Sequence, residues 1–143
     1  CGQGENFEQS QQEAKALGIA EMVLFCGNVN RPEDYLQAMD VFVMTSLFEG
    51  LPIVGVEAQA SGLPCIFADT ITQEVKILPQ TQFLALTQPD EAWAERIVQT
   101  KPMERSLAGH CVESAGFAEE NLDSALYGME EHHFANISGR DHL

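Results

Sequence analysis

The sequence predicts an α/β fold in three layers, a parallel sheet covered on both faces by helices. Three observations predict it. Short apolar runs (Met22–Cys26, Val41–Met44, Cys65–Ala68 and Gln82–Leu86) recur along the chain, as strands buried on both faces require. Helical patterns alternate with these runs, which is the order of crossover units. The chain has 143 residues, of which 45% are apolar, enough for one domain with a sizeable core and too many for a disordered segment.

Taken in order, residues 5–17 read as a helix with Phe7, Ala14 and Leu17 on one face and Gly18 as its C-terminal stop. The run Met22–Cys26 reads as a strand ending at Gly27-Asn28. Pro32 opens a short helix whose first turn carries Glu33 and Asp34, the sign that a helix N-terminus favours. The strand Val41–Met44 follows, then a helix that starts at Pro52 and stops at Gly62. Pro64 introduces the strand Cys65–Ala68, and Gln82–Leu86 reads as a fourth strand. Pro89-Asp90-Glu91 starts a helix carrying Trp93, Ile97 and Val98. Beyond Lys101 only helical patterns remain, over residues 103–114 and 117–131. One domain over residues 1–131, incomplete at its N-terminus, with a tail over 132–143, is the expected organisation.

Seven Lys and Arg stand against 22 Asp and Glu, a net charge of −15, which argues against a nucleic-acid partner and against binding to anionic lipid. Residues 32–75 contain neither Lys nor Arg. A phosphate bound there must be held by backbone dipoles or by cations from elsewhere. Cys1, Cys26, Cys65 and Cys111 form no C-x-x-C pair, so reduced structural thiols in a cytoplasmic protein are expected. No apolar run is long enough to cross a bilayer. His132-His133 lacks a third ligand at useful spacing, and His110 and Cys111, adjacent on a helix, point apart.

The stretch Phe48-Glu49-Gly50-Leu51-Pro52-Ile53-Val54-Gly55-Val56-Glu57-Ala58 carries the chemistry. Ligands of open parallel sheets bind beyond the carboxyl ends of the strands, where the loops 27–30, 45–51 and 69–72 should gather. Leu51 precedes Pro52, so the helix lacks a capping side chain and its first N–H groups await an acceptor. Gly50 admits a ligand close to the backbone. Such a helix start is an anion site that needs no Lys. Glu57 lies five residues past Pro52, about 7 Å along the axis, within reach of a sugar attached to a bound diphosphate. A carboxylate there can accept both hydrogen bonds from vicinal ribose hydroxyls. Glu49, before the helix, falls on the far side of the phosphates, where a second sugar would lie.

Glu49-Gly50-Leu51-Pro52 followed by Glu57-Ala58 resembles the E-x7-E motif of retaining glycosyltransferases of the GT-B fold, family 4. Ala38–Val43 with Thr45-Ser46 is similar to the approach to that motif, and Ala60-Ser61-Gly62-Leu63-Pro64 to its exit. Gly2-x-Gly4 and Phe25-Cys26-Gly27 resemble two upstream strand ends of the same family. The likeness spans roughly residues 1–100 and is specific over 38–69. It implies the Rossmann-like C-terminal half of a GT-B enzyme, which binds a nucleotide-sugar, often a uridine diphosphate sugar, and transfers the sugar with retention and without a metal. By this resemblance Glu57 holds the ribose and the catalytic Glu49 lies against the transferred sugar. Gly50 and Leu51 offer N–H groups, Asn28, Asn30 and Arg31 border the base, Gly4 lies on the donor side, and Thr70 closes the pocket. The expected partners are the nucleotide-sugar, an N-terminal acceptor-binding domain missing here, and an acceptor that is saccharide or lipid-linked. The expected setting is cell-surface polysaccharide synthesis at the cytoplasmic side, with contact to the inner membrane face through the missing domain. The Arg and Lys that usually grip the diphosphate lie upstream in the family, so this segment alone is expected to bind nucleotide weakly and not to transfer sugar. Two other readings fit the same residues. One is a non-catalytic nucleotide-sugar-binding module; the other is a sugar-nucleotide epimerase of the same fold.

Overall fold

The computed structural model describes residues 6–101, 105 and 108–117. The chain divides into two compact units, residues 1–35 and 36–143.

In the first unit, helix α1 spans Phe7–Ala16. Gly18, at φ +71°, ends it: the Gly18 N–H bonds to the Lys15 carbonyl (3.1 Å) and the Ile19 N–H to the Ala14 carbonyl (3.0 Å). This is the paired closure that a left-handed residue permits. Ala14 is buried, and Phe7 meets Phe25 edge to face at 5.7 Å. Leu17, expected on the buried face, falls past the last helical residue and is 67% exposed. The expected strand at Met22–Cys26 does not form. Ala20–Met22 is a 3₁₀ turn, and residues 23–26 belong to no strand. Val23 has extended backbone angles, but a strand exists only through ladder bonds to a neighbour, and Leu24 remains 82% exposed. An apolar run records an affinity for burial, not the presence of a partner.

Helix α2 (Pro32–Ala38) runs across the boundary between the units. The second unit contains the sheet: β1 (Phe42–Met44), β2 (Cys65–Ala68) and β3 (Gln82–Leu84), parallel, in spatial order β1-β2-β3. Phe42 pairs with Cys65, and Phe67 with Phe83. Side chains paired in register share a face, so Phe42, Phe67 and Phe83 lie on one side. Their rings meet at 6.0 Å and 5.8 Å. Helix α3 (Ile53–Ala60) covers this face, and α5 (Ala108–Ser114) packs on α3. Gly55 makes the close approach possible: a Cβ there would stand 2.8 Å from the Phe67 ring. On the opposite face α4 (Asp90–Gln99) brings Trp93 and Ile97 beside Val43 and Leu86 around a cleft of about 430 Å³. The expected three-layer, parallel α/β architecture is therefore present, with β2 buried along its whole length.

Gly62, at φ +75°, closes α3 as Gly18 closes α1: its N–H bonds to the Gln59 carbonyl and the Leu63 N–H to the Ala58 carbonyl. A Cβ there would also strike the Arg105 backbone at 2.8 Å. Arg105 crosses at this point and donates to the carbonyls of Gln37 and Met39, both at 2.7 Å, tying the end of α2 to the entry of β1.

The β2–β3 crossover contains no α-helix, only a 3₁₀ turn at Gln73–Val75. Its backbone polar groups therefore need other partners. Gln59, fully buried on α3, supplies them. Its amide nitrogen donates to the Gly55 and Val75 carbonyls (3.0 and 2.7 Å). Its amide oxygen accepts from the N–H groups of Ile77 and Leu78, each at 3.0 Å, and from the Thr81 hydroxyl at 2.7 Å.

Cys65 is buried in β2, and burial pushes its thiol up to about 12 from an ordinary value of 9.0. A raised pKa means that the folded state keeps its proton longer than the unfolded one. Stability from this group is whole below about pH 9 and falls as pH rises towards 12. At pH 8 a soluble thiol reagent is expected to label the exposed Cys111 and spare Cys65 until the chain unfolds. Peptide mapping of the labelled thiols checks this, and native labelling of Cys65 at the rate of Cys111 would contradict the buried site.

Candidate functional site

Helix α3 begins at Ile53. Pro52 stands one place earlier than the sequence suggests, at the N-cap, with extended angles (φ −75°, ψ 102°). Its carbonyl accepts from the N–H groups of Gly55 and Val56. No side chain caps this end, as Leu51-Pro52 predicts. Helix α4 also starts without a side-chain cap, behind Pro89, but its first turn carries Asp90 and Glu91. The first turn of α3 carries no acid, so its amide dipoles are uncompensated from within the turn.

The face of α3 that packs on the sheet holds Gly55, Val56, Ala58 and Gln59, all buried. Ile53, Glu57 and Ala60 form the opposite, exposed stripe at helical spacing. Glu57 thus stands one turn beyond the helix start, on the open side of the helix. Its immediate neighbours Val56 and Ala58 are buried, whereas Glu57 is exposed.

Residues 45–51 are irregular and connect the carboxyl end of β1 to α3. Glu49 is half-buried in this loop, and its Oε1 accepts from the Ser46 hydroxyl at 2.9 Å. The Ser46 carbonyl in turn accepts from the Thr70 hydroxyl at 2.7 Å. Thr70 follows β2, so the carboxyl ends of two adjacent strands are joined beside Glu49. Gly50 is exposed, and a Cβ there would meet nothing within 4 Å. Leu51 packs against the core. Glu49, Gly50, Leu51, Glu57 and Thr70 are therefore all placed by the second unit. Asn28, Asn30 and Arg31 belong to the first unit, where all three are exposed. Gly4 lies outside the described residues, as do His132 and His133.

Arg31 and Arg105 each have partners of their own. Arg31 meets Glu33 and Asp34, both at 3.1 Å, at the start of α2. A hydrogen bond from Glu33's own backbone, and after it the Arg31 hydrogen bond and charge, hold the Glu33 carboxyl below its ordinary value. Arg105 is committed to Gln37 and Met39. Backbone dipoles at the start of α3 are an anion-attracting feature of the second unit, three residues along the chain from Glu49.

Two residues of this arrangement were not singled out as functional from sequence: Ser46 and Gln59. Ser46 carried a faint signal, a hydroxyl three residues before an acid in a short loop. Gln59 carried none, since apart from the Gly55 carbonyl its partners lie 16 to 22 residues onward. No helix among the described residues is long and apolar enough to cross a membrane.

Known proteins are similar to this chain in sequence or in fold. Over 100 residues the chain is 44% identical to the "Putative glycosyltransferase EpsF" of Bacillus subtilis (strain 168), a match covering 69% of this chain and 26% of that protein. Over 129 residues it is 35% identical to the Vi polysaccharide biosynthesis protein VipC/TviE of Salmonella typhi, covering 85% and 22%. The chain spans about a quarter of the length of these relatives. The solved apo form of the lipopolysaccharide outer core galactosyltransferase WaaB superposes with a TM-score of 0.67 at 22% identity, over 89% of this chain and 39% of that one, and so shares its fold. The sequence profile described as Glycosyl transferases group 1 matches residues 1–111, and the chain belongs to that family.

Proposed function

We propose that this chain is the donor-binding, C-terminal part of a retaining family 4 transferase of the GT-B fold. The whole protein moves a sugar from a nucleotide diphosphate, with uridine as the proposed base, to a saccharide or lipid-linked acceptor. The setting is cell-surface polysaccharide synthesis, in keeping with the name of the Vi polysaccharide relative. The proposed reaction needs no resident metal or other cofactor. One observation carries the reading: an uncapped, acid-free helix start lies between Glu49 in the preceding loop and Glu57 on the helix's open stripe. The diphosphate sits at that helix start, where amide dipoles favour negative charge. Glu57 accepts from the ribose hydroxyls, and Glu49 faces the sugar to be transferred. Asn28, Asn30 and Arg31 are assigned to the base side, and Gly4 to the donor side.

Calorimetry with uridine diphosphate and with its sugar conjugates tests this, on the protein extended to the full length of its relatives. Glu57→Ala is expected to weaken both ligands by about 10-fold or more, the size of a lost hydrogen bond to a charged group. Glu49→Ala should spare the free nucleotide and weaken only the conjugate. Equal losses for the two ligands in both variants would refute the assignment.

A further inference from the structure

We propose that Ser46 and Thr70 are positioning residues for Glu49, a relay that sets its carboxylate before the donor sugar arrives. The inference deepens the donor-site reading above and rests on it. Thr70 follows β2, which is buried along its length and paired on both sides. Its side chain is β-branched, so χ1 is restricted and the hydroxyl is held in direction. That hydroxyl donates to the Ser46 carbonyl at 2.7 Å across 24 residues of sequence. Fixing the peptide at Ser46 fixes the Cα–Cβ direction of Ser46, whose own hydroxyl donates to Glu49 Oε1 at 2.9 Å. The chain of bonds therefore runs from the turn that directly follows β2, where Thr70 is exposed, into an irregular loop and ends on the carboxylate.

The reason such a relay matters is entropic. A free Glu side chain has three rotors, and immobilising one on binding costs up to about 1.5 kcal/mol. When the protein has already held Oε1, that ordering is not charged against the sugar, and Oε2 remains to accept a sugar hydroxyl. A hydroxyl donor suits the task, because it orients the carboxylate without neutralising it as a Lys or Arg would. The stretch 32–75, which contains Ser46, Glu49 and Thr70, holds no Lys or Arg at all.

The test is a double-mutant cycle on the full-length protein, read as affinity for a uridine diphosphate sugar relative to uridine diphosphate. Ser46→Ala should lower this ratio about 3- to 10-fold, with affinity for the free nucleotide unchanged. Thr70→Val, which keeps the shape and removes the hydroxyl, should lower it in the same direction by less. Thr70→Ser should restore part of it. In the Glu49→Ala background neither change should lower the ratio further. Thermal unfolding of each variant reports any loss of fold, and the cycle is read on variants that remain folded. A purely structural role would weaken both ligands alike and would persist without Glu49; either result overturns the proposal, as does an unchanged ratio in Ser46→Ala. Should Glu49→Ala itself leave the ratio intact, the donor-site reading fails, and the relay with it.

Discussion

Gln59→Leu is expected to lower the stability of the fold by at least about 3 kcal/mol, since removing the partner of a buried polar group costs roughly 1–3 kcal/mol each. The substitution strands the Val75 carbonyl and the N–H groups of Ile77 and Leu78, and takes the acceptor from the Thr81 hydroxyl. Leucine fills comparable volume, so the loss measures hydrogen bonding more than cavity formation. Domains of this size are stable by about 5–15 kcal/mol, so the effect is a large fraction of the whole. Urea unfolding of both proteins measures it, and a loss under about 1 kcal/mol would show that water replaces the amide. Gln59→Glu gives a second, signed result. A carboxylate can still accept from Ile77, Leu78 and Thr81 but opposes the carbonyls of Gly55 and Val75, and burial disfavours its charge. Its folded pKa is therefore raised. The variant should be most stable below the usual carboxylate range, near pH 4, and lose stability as pH rises through the raised value.

Glu49→Ala in a full-length transferase is expected to reduce turnover by about 10²- to 10³-fold, the typical size of losing one preorganised electrostatic contact at a reacting centre. Glu49 is half-buried, tied to Ser46 and placed in the loop that leads to the open end of α3. Such a carboxylate can hold sugar hydroxyls and oppose positive charge developing at the transferred carbon. Glu49→Gln retains one acceptor oxygen and the side-chain shape, so its loss should be smaller than that of alanine. Initial rates with a saturating donor compare the two. Equal rates for wild type and alanine would remove Glu49 from the reaction and leave it a loop acid.

The elements whose signals are local were legible. Gly18 and Gly62 close their helices where the sequence places them, and the runs at 42–44 and 65–68 pair as parallel strands. The absence of a cap at α3 was legible too, because Leu51 and Pro52 have no side chain that can accept an N–H. The run at 22–26 was misread, since its composition is that of a strand while its hydrogen-bond partner is not a property of the run. The predicted helix at 117–131 lies largely outside the described residues, and of that at 103–114 the structure shows Ala108–Ser114.

By itself the sequence determined the layer architecture, the open helix start and the two acids on either side of it, because spacing along a helix and the chemistry of a cap act over a few residues. Only the tertiary structure decided how Glu49 is held and what supports the helix-free crossover. Ser46 meets Thr70 across 24 residues and Gln59 meets Thr81 across 22, and bonds of that span come into being only when β1, β2 and α3 are packed together.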